Sequence, residues 1–177
     1  YTNASTNSVT LTVNGPVGTN VFTRNNYIVV TNPPPLLAVS PTNRDFGPVL
    51  VGQTNTQTFQ IASLGGLTLT GSVVTTLPFR IESGSPFTVL PGQTGSVTVS
   101  FSPTNVASYS NAVQFLSNGG SSTNPVLGVG ITAQLFVSPP VINFGFVEVG
   151  SDAQASFVVT NLGAATLTNG TATVGGG

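Results

Sequence analysis

Very few side chains in this sequence can do chemistry. Among 177 residues there are three arginines, Arg24, Arg44 and Arg80, and four acids, Asp45, Glu82, Glu148 and Asp152, while His, Cys, Lys, Met and Trp are absent. Without His or Cys no Ser-His-Asp or Cys-His nucleophile can be built, and zinc or copper has no ligand set. Glycoside hydrolysis needs only two facing carboxylates, and Asp45 and Glu82 fall in the same stretch of chain. Each has an arginine close in sequence, Arg44 beside Asp45 and Arg80 two residues before Glu82. Surface ion pairs worth ~0–1 kcal/mol are the better reading of both. Glu148 and Asp152 flank Gly150 and, with carbonyls, would offer Ca²⁺ a site, but no D-x-D-x-D loop accompanies them. The expectation is a non-catalytic chain with no cofactor and no metal. Three arginines without lysine do not cover a phosphate backbone, so no nucleic-acid partner is expected either.

Two kinds of site remain. Asn3-Ala4-Ser5 and Asn169-Gly170-Thr171 are acceptor sequons for N-glycans, and both lie near turns. Thr54–Thr58 and Ser121-Ser122-Thr123 offer hydroxyls for O-glycans, or simply fill the outward faces of strands, where Thr fits well. Tyr1, Tyr27 and Tyr109 with eleven Phe suggest a sugar-stacking platform. The Phe residues fall on inward positions of the strand pattern, which favours core packing. The composition is 39% hydrophobic but only 4% charged, against about 25% in ordinary domains. The polar surface is therefore Thr, Ser, Asn and Gln, and a net charge of −1 gives little protection against association. No apolar run reaches the ~18 residues of a membrane helix. The sequence opens on Tyr1 with no signal peptide, as a processed or excised piece would.

A repeat organises the chain. FGPVLVG at Phe46–Gly52 returns as FGFVEVG at Phe144–Gly150, 98 residues later (144 − 46). Phe59 maps onto Phe157 at the same offset, and Leu69 onto Leu167. A fixed period means an array of similar units. The expected repeat core is Phe46, Gly47, Val49, Val51, Gly52 and Phe59, with Phe144, Gly145, Val147, Val149, Gly150 and Phe157 in the second copy. Asp45 is replaced by Asn143, so no role of Asp45 is expected to repeat.

Alternation predicts strands nearly throughout. Residues 8–13 place Val9, Leu11 and Val13 on one face, as in a half-buried strand. Asn14–Gly18 is turn chemistry, and Val21–Arg24 and Tyr27–Val30 read as strand broken at Asn25-Asn26. Pro33-Pro34-Pro35 has fixed φ and no donors, and reads as a stiff spacer. Seven or so strands follow: Leu36–Ser40, the Phe46–Val51 region, Gln57–Ala62, Leu67–Val73, Phe79–Ile81 with Phe87–Val89, Ser96–Phe101, Tyr109–Phe115, and Val126–Ile131 with Leu127, Val129 and Ile131 as its apolar set. Turns every 8–12 residues argue a β-sandwich of about 100 residues. Nothing carries a capped helical period, so almost no helix is expected.

Two resemblances follow from these patterns. The Tyr1 opening, the VTLTV strand and the NYIVV strand resemble the C-terminal half of a PKD domain, an immunoglobulin-like sandwich of secreted proteins. L-x-V-S-P…F-G-x-V-x-V-G…P-F-R-I…V-L-P-G-Q-T…V-T-V-S-F-S-P resembles the abnormal-spindle/hydin (ASH) type of immunoglobulin-like module, found in bacterial choice-of-anchor D proteins. The resemblances imply an all-β chain of tandem immunoglobulin-like sandwiches: residues 1–32 as the C-terminal part of a PKD-like unit, 33–35 as linker, 36–133 as a complete ASH-like unit, and 134–177 as the N-terminal part of a second. They also imply a non-catalytic structural module of an extracellular or cell-surface fibre, stalk or adhesin. The alternative is an accessory, substrate- or surface-binding module of a secreted hydrolase, and a third reading is a cytoskeletal scaffold.

Partial units would leave open edges at Val9, Leu11 and Val13 and at Thr166, Leu167 and Val174. The expected partners are other modules of the same chain, or neighbouring copies in a filament that donate strands. Surface polysaccharide is a further expected partner.

Overall fold

In Thr94–Phe101, Val97, Val99 and Phe101 point inward from successive alternate positions while Ser96 points out, and this period of two recurs along the middle of the chain. The computed structural model describes residues 4–174. These form thirteen strands and no helix. Strands β1 (Ser5–Gly15) and β2 (Gly18–Val30) make a hairpin. β3 (Leu37–Ser40), β4 (Arg44–Leu50), β5 (Asn55–Ser63), β6 (Leu69–Val74), β7 (Phe79–Ser83), β8 (Phe87–Val89), β9 (Thr94–Phe101), β10 (Ser108–Ser117) and β11 (Gly120–Ile131) follow. They build two sheets, ordered β3-β5-β9-β7 and β4-β11-β10-β6-β8. β12 (Leu135–Ser138) and β13 (Val158–Asn161) pair antiparallel.

The two sheets of the middle unit close over one apolar core. Phe46, Phe59, Phe79, Phe87, Phe101 and Phe115 all lie in it, with Ile61, Leu69, Val97, Val99, Val113 and Val126. Phe79 stacks on Phe101 at 4.9 Å between centroids, and Phe59 meets Phe115 edge-on at 5.5 Å. The phenylalanines of this unit are therefore core, as their positions in the alternation imply. Asn124 is one of three buried polar residues in this unit, with Ser63 and Ser100. Its amide donates to the carbonyls of Pro41 and Thr42, and its Oδ1 accepts from Ser122. It pins the β3–β4 connection beneath β11, satisfying groups that burial would otherwise leave unpaired.

Several expectations are corrected. The apolar set of β11 is not Leu127, Val129 and Ile131. The inward positions are Asn124, Val126, Gly128 and Gly130, with Leu127 46% and Val129 39% exposed. Glycine sets this phase: a Cβ at Gly128 would lie 2.5 Å from the Phe101 ring. Val51 is not core but sits in the turn after β4, where its N–H donates to the Ile131 carbonyl. β2 runs unbroken through Asn25-Asn26, because a bulge opposite Ser8 absorbs the extra residues, with Asn26 at a φ of 53°. Val9, Leu11 and Val13 are exposed rather than half-buried, since no other strand packs on the hairpin among the described residues.

Pro33–Pro35 is held against the middle unit. Gly66 donates to the Pro33 carbonyl and Leu64 to that of Leu36, and Gly65 is so close that a Cβ would lie 2.0 Å from the Pro34 oxygen. The second copy repeats this contact. Leu162 donates to Gln134, and a Cβ on Gly163 would lie 2.2 Å from the Thr132 oxygen.

Candidate interaction surface

Of the charged residues, Arg44 and Asp45 hold backbone. Asp45 Oδ1 accepts from the Gly47 N–H at 2.8 Å, closing a small turn that needs the positive φ of 66° at Gly47. Asn143 Oδ1 accepts from the Gly145 N–H at 2.8 Å, with Gly145 at 62°. The role of Asp45 therefore does repeat. It belongs to the side-chain oxygen, which Asp and Asn share, and not to the charge. Asp45→Asn is expected to leave the midpoint of thermal unfolding nearly unchanged, and Asp45→Ala to lower stability by about 0.5–1.5 kcal/mol, the usual worth of one such bond.

Instead of the two expected ion pairs, the structure shows bonds to backbone and hydroxyl. Arg44 Nη2 donates to the Thr58 carbonyl, with its guanidinium 6.0 Å from the Phe59 ring centre. Glu82 accepts from the Ser100 hydroxyl. Glu148 and Asp152 are exposed, and no three His, Cys, Asp or Glu side chains come together among the described residues. Among the described residues no helix is long and apolar enough to cross a membrane. Asn169 is exposed at a φ of 59°, and Asn3 lies outside the described residues.

The two copies of the repeat differ in what covers them. Phe46, Val49 and Phe59 are buried. Their counterparts Phe144, Val147 and Phe157 are exposed, Phe157 by 56%, and Val149 stands fully in solvent. The strands differ in the same way. β5 is paired by β3 only over Gln60–Ser63, and its first half, Asn55–Phe59, is strand through β9 alone. In the second copy β12 pairs Val158–Asn161, while residues 153–157, the counterpart of the β9-paired half, are irregular. Residues 144–150 form no strand, although β4 does so beside β11. Nor do residues 166–174, where an edge strand at Thr166, Leu167 and Val174 was expected. The corresponding β6 lies between β10 and β8, and no such neighbours exist here among the described residues. A lone extended segment does not hold its shape in water. Leu135, Val137, Phe157, Val159 and Leu167 are left lining an open groove of about 530 Å³.

A second bare surface lies on the hairpin. Val9, Leu11, Phe22 and Tyr27 share one face, with the Arg24 guanidinium 5.0 Å from the Tyr27 ring centre. Sequence reasoning marked Val9 and Leu11 as an edge, named Tyr27 among the stacking aromatics, and did not single out Phe22. The cross-strand register, Leu11 opposite Phe22, brings Phe22 to the same face.

The HYDIN/CFA65/VesB-like, Ig-like domain family matches residues 35–129, more than half of the sequence. The chain belongs to this family. The HYDIN/CFA65/VesB-like unit is thus the one formed by β3–β11. Among solved structures, an ASH / PapD-like domain of human CEP192 matches with a TM-score of 0.52 at 11% identity, over 59% of this chain and 92% of that one. A protein of unknown function from Porphyromonas gingivalis W83 matches with a TM-score of 0.49 at 17% identity, over 72% of this chain and 67% of that one. The Vibrio cholerae VesB protease matches with a TM-score of 0.40 at 21% identity, over 52% of this chain and 31% of that one. At these identities the likeness is one of fold. No curated protein matches the chain.

Proposed function

We propose that this HYDIN/CFA65/VesB-like chain is a non-catalytic structural module of an extracellular or cell-surface fibre, stalk or adhesin. The observation that carries the reading is the recurrence of one set of backbone devices at a fixed period. The Asp45–Gly47 turn returns at Asn143–Gly145, and the packing of Gly65 on its linker returns at Gly163. A device that fixes how each unit leaves its linker suits units strung in series, as in other repeat proteins. Within the middle unit the polar side chains described above bind backbone or one another, consistent with a spacer.

Negative-stain imaging of native material is expected to show an extended fibre or stalk, and separate compact particles would overturn the reading. The sequon at Asn169 is proposed as a glycan acceptor. Sugar there would cover part of an almost uncharged surface, and peptide mass spectrometry showing only unmodified Asn169 would remove the idea. The second reading, an accessory module of a secreted hydrolase, draws its support from the family description, which includes VesB. Retention on insoluble polysaccharide through extensive washing is the result that would favour it.

A further inference from the structure

Residues 153–157 lack the strand that orders the same stretch of the middle unit, and the chain itself carries a close copy of that strand. In β9 the sequence facing β5 is Val97-Thr98-Val99-Ser100-Phe101. In β1 it is Val9-Thr10-Leu11-Thr12-Val13, with the same apolar positions and hydroxyl residues between them. Among the described residues β1 is paired on one side only, by β2, and β13 on one side only, by β12. β2 lies antiparallel beside β1 as β7 lies beside β9, with Leu11 opposite Phe22 where Val99 is opposite Ile81.

We propose that the β1–β2 hairpin of one copy docks on residues 153–161 of a second copy. β1 takes the place of β9 and β2 that of β7, completing a sheet ordered β12-β13-β1-β2 across the two molecules. This deepens the fibre reading and rests on it. The register carried over from β5–β9 sets Val9 opposite Phe157 and Leu11 opposite Ala155. The bare face of the hairpin then closes over the groove at Phe157. Net charge favours the encounter of the two regions at long range, while the register itself sets Arg24 opposite Val9 and away from Asp152. Arg24 is the only charged residue before Arg44, and Glu148 and Asp152 are the only ones after Glu82, so the two ends carry opposite sign around a balanced middle. The two surfaces differ, so the contact is head-to-tail and propagates into an open chain of molecules unless the rotation closes.

The test uses the full chain and two variants, Leu11→Glu on the donor face and Phe157→Glu on the acceptor. Both residues are already exposed, so neither change strains the middle unit. Light scattering over a concentration series is expected to show the wild-type mass rising above 17.9 kDa. Each variant alone is expected to stay monomeric. Their mixture is expected to stop at a pair, because one variant keeps its acceptor and the other its donor. Monomeric wild-type protein at every concentration overturns the proposal. So does self-association of Leu11→Glu alone, which would mean a symmetric contact. Circular dichroism checks that each variant is folded, and Val13→Glu with Val159→Glu repeats the experiment if one is not. Fibres in native material beside a strictly monomeric wild-type chain would sink this contact and leave the fibre reading standing.

Discussion

Phe59→Ala is expected to lower the stability of the middle unit by about 3–5 kcal/mol, whereas Phe157→Ala, at the same place in the repeat, is expected to change the unfolding of dilute protein by no more than ~0.5 kcal/mol. The two positions share sequence context and differ in what lies over them. Phe59 is fully buried, meets Phe115 edge-on at 5.5 Å and has the Arg44 guanidinium 6.0 Å away. Truncation there removes the transfer energy of a ring, opens a cavity between two sheets that are held apart by their other side chains, and strips a partner from a cation whose Nε already has none. Phe157 is 56% exposed and makes no such ring or guanidinium contact among the described residues. Urea unfolding followed by far-UV circular dichroism measures both. The chain has no Trp, so the fluorescence of Tyr109, which packs on Phe101 at 5.5 Å, is the local probe of the middle unit. Equal losses at the two positions in dilute solution would mean that the second copy is covered within one molecule, against the geometry described here. A loss at Phe157 that grows with protein concentration is what the head-to-tail contact requires.

How much of this was legible in the sequence depends on which physical signal each residue carried. β5 and β9 were readable because both alternate cleanly, with Phe59 and Ile61, then Val97, Val99 and Phe101, on the buried side. The repeat was readable at its 98-residue offset, and the structure leaves Phe144, Val147 and Phe157 bare among the described residues. The consequence for backbone was missed: a segment whose pattern says strand stays irregular where no neighbour supplies hydrogen bonds, as at 144–150 and 166–174. The equivalence of Asp45 and Asn143 was also missed, since it appears only when the acceptor oxygen, not the charge, is seen to be the working part. Nor could Pro33–Pro35 be seen to pack on Gly65 from local chemistry, because that contact joins residues some thirty positions apart. For the candidate surface, Val9, Leu11 and Val13 were marked by type. Phe22 and Tyr27 join the same face only through the bulge and register of the hairpin.

β11 carries the sharpest reversal of sequence expectation, and it makes the last prediction. Leu127 and Val129 face out, and Gly128 and Gly130 face in. Gly128→Ala is expected to destabilise the middle unit by about 1–3 kcal/mol through overpacking, and the ~0.5–1 kcal/mol usually gained by replacing a glycine within a strand offsets only part of that. A Cβ there would lie 2.5 Å from Cε1 of Phe101 and 2.8 Å from Cδ1 and Cζ. The ring has little room to yield, because Phe79 stacks on it at 4.9 Å, Tyr109 meets it at 5.5 Å and Phe46 lies at 5.9 Å. Leu127→Ala, one residue earlier, is expected to cost less than about 1 kcal/mol, since 46% of the side chain is already in water. The bulky residue is thus the expendable one. A double-mutant cycle separates this from a general intolerance of the strand: with Phe101 shortened to Leu, the penalty of Gly128→Ala should shrink, because the clash lies between those two positions. A penalty unchanged in the Phe101→Leu background would place the cost in the backbone of β11 and not in the contact that fixes its phase.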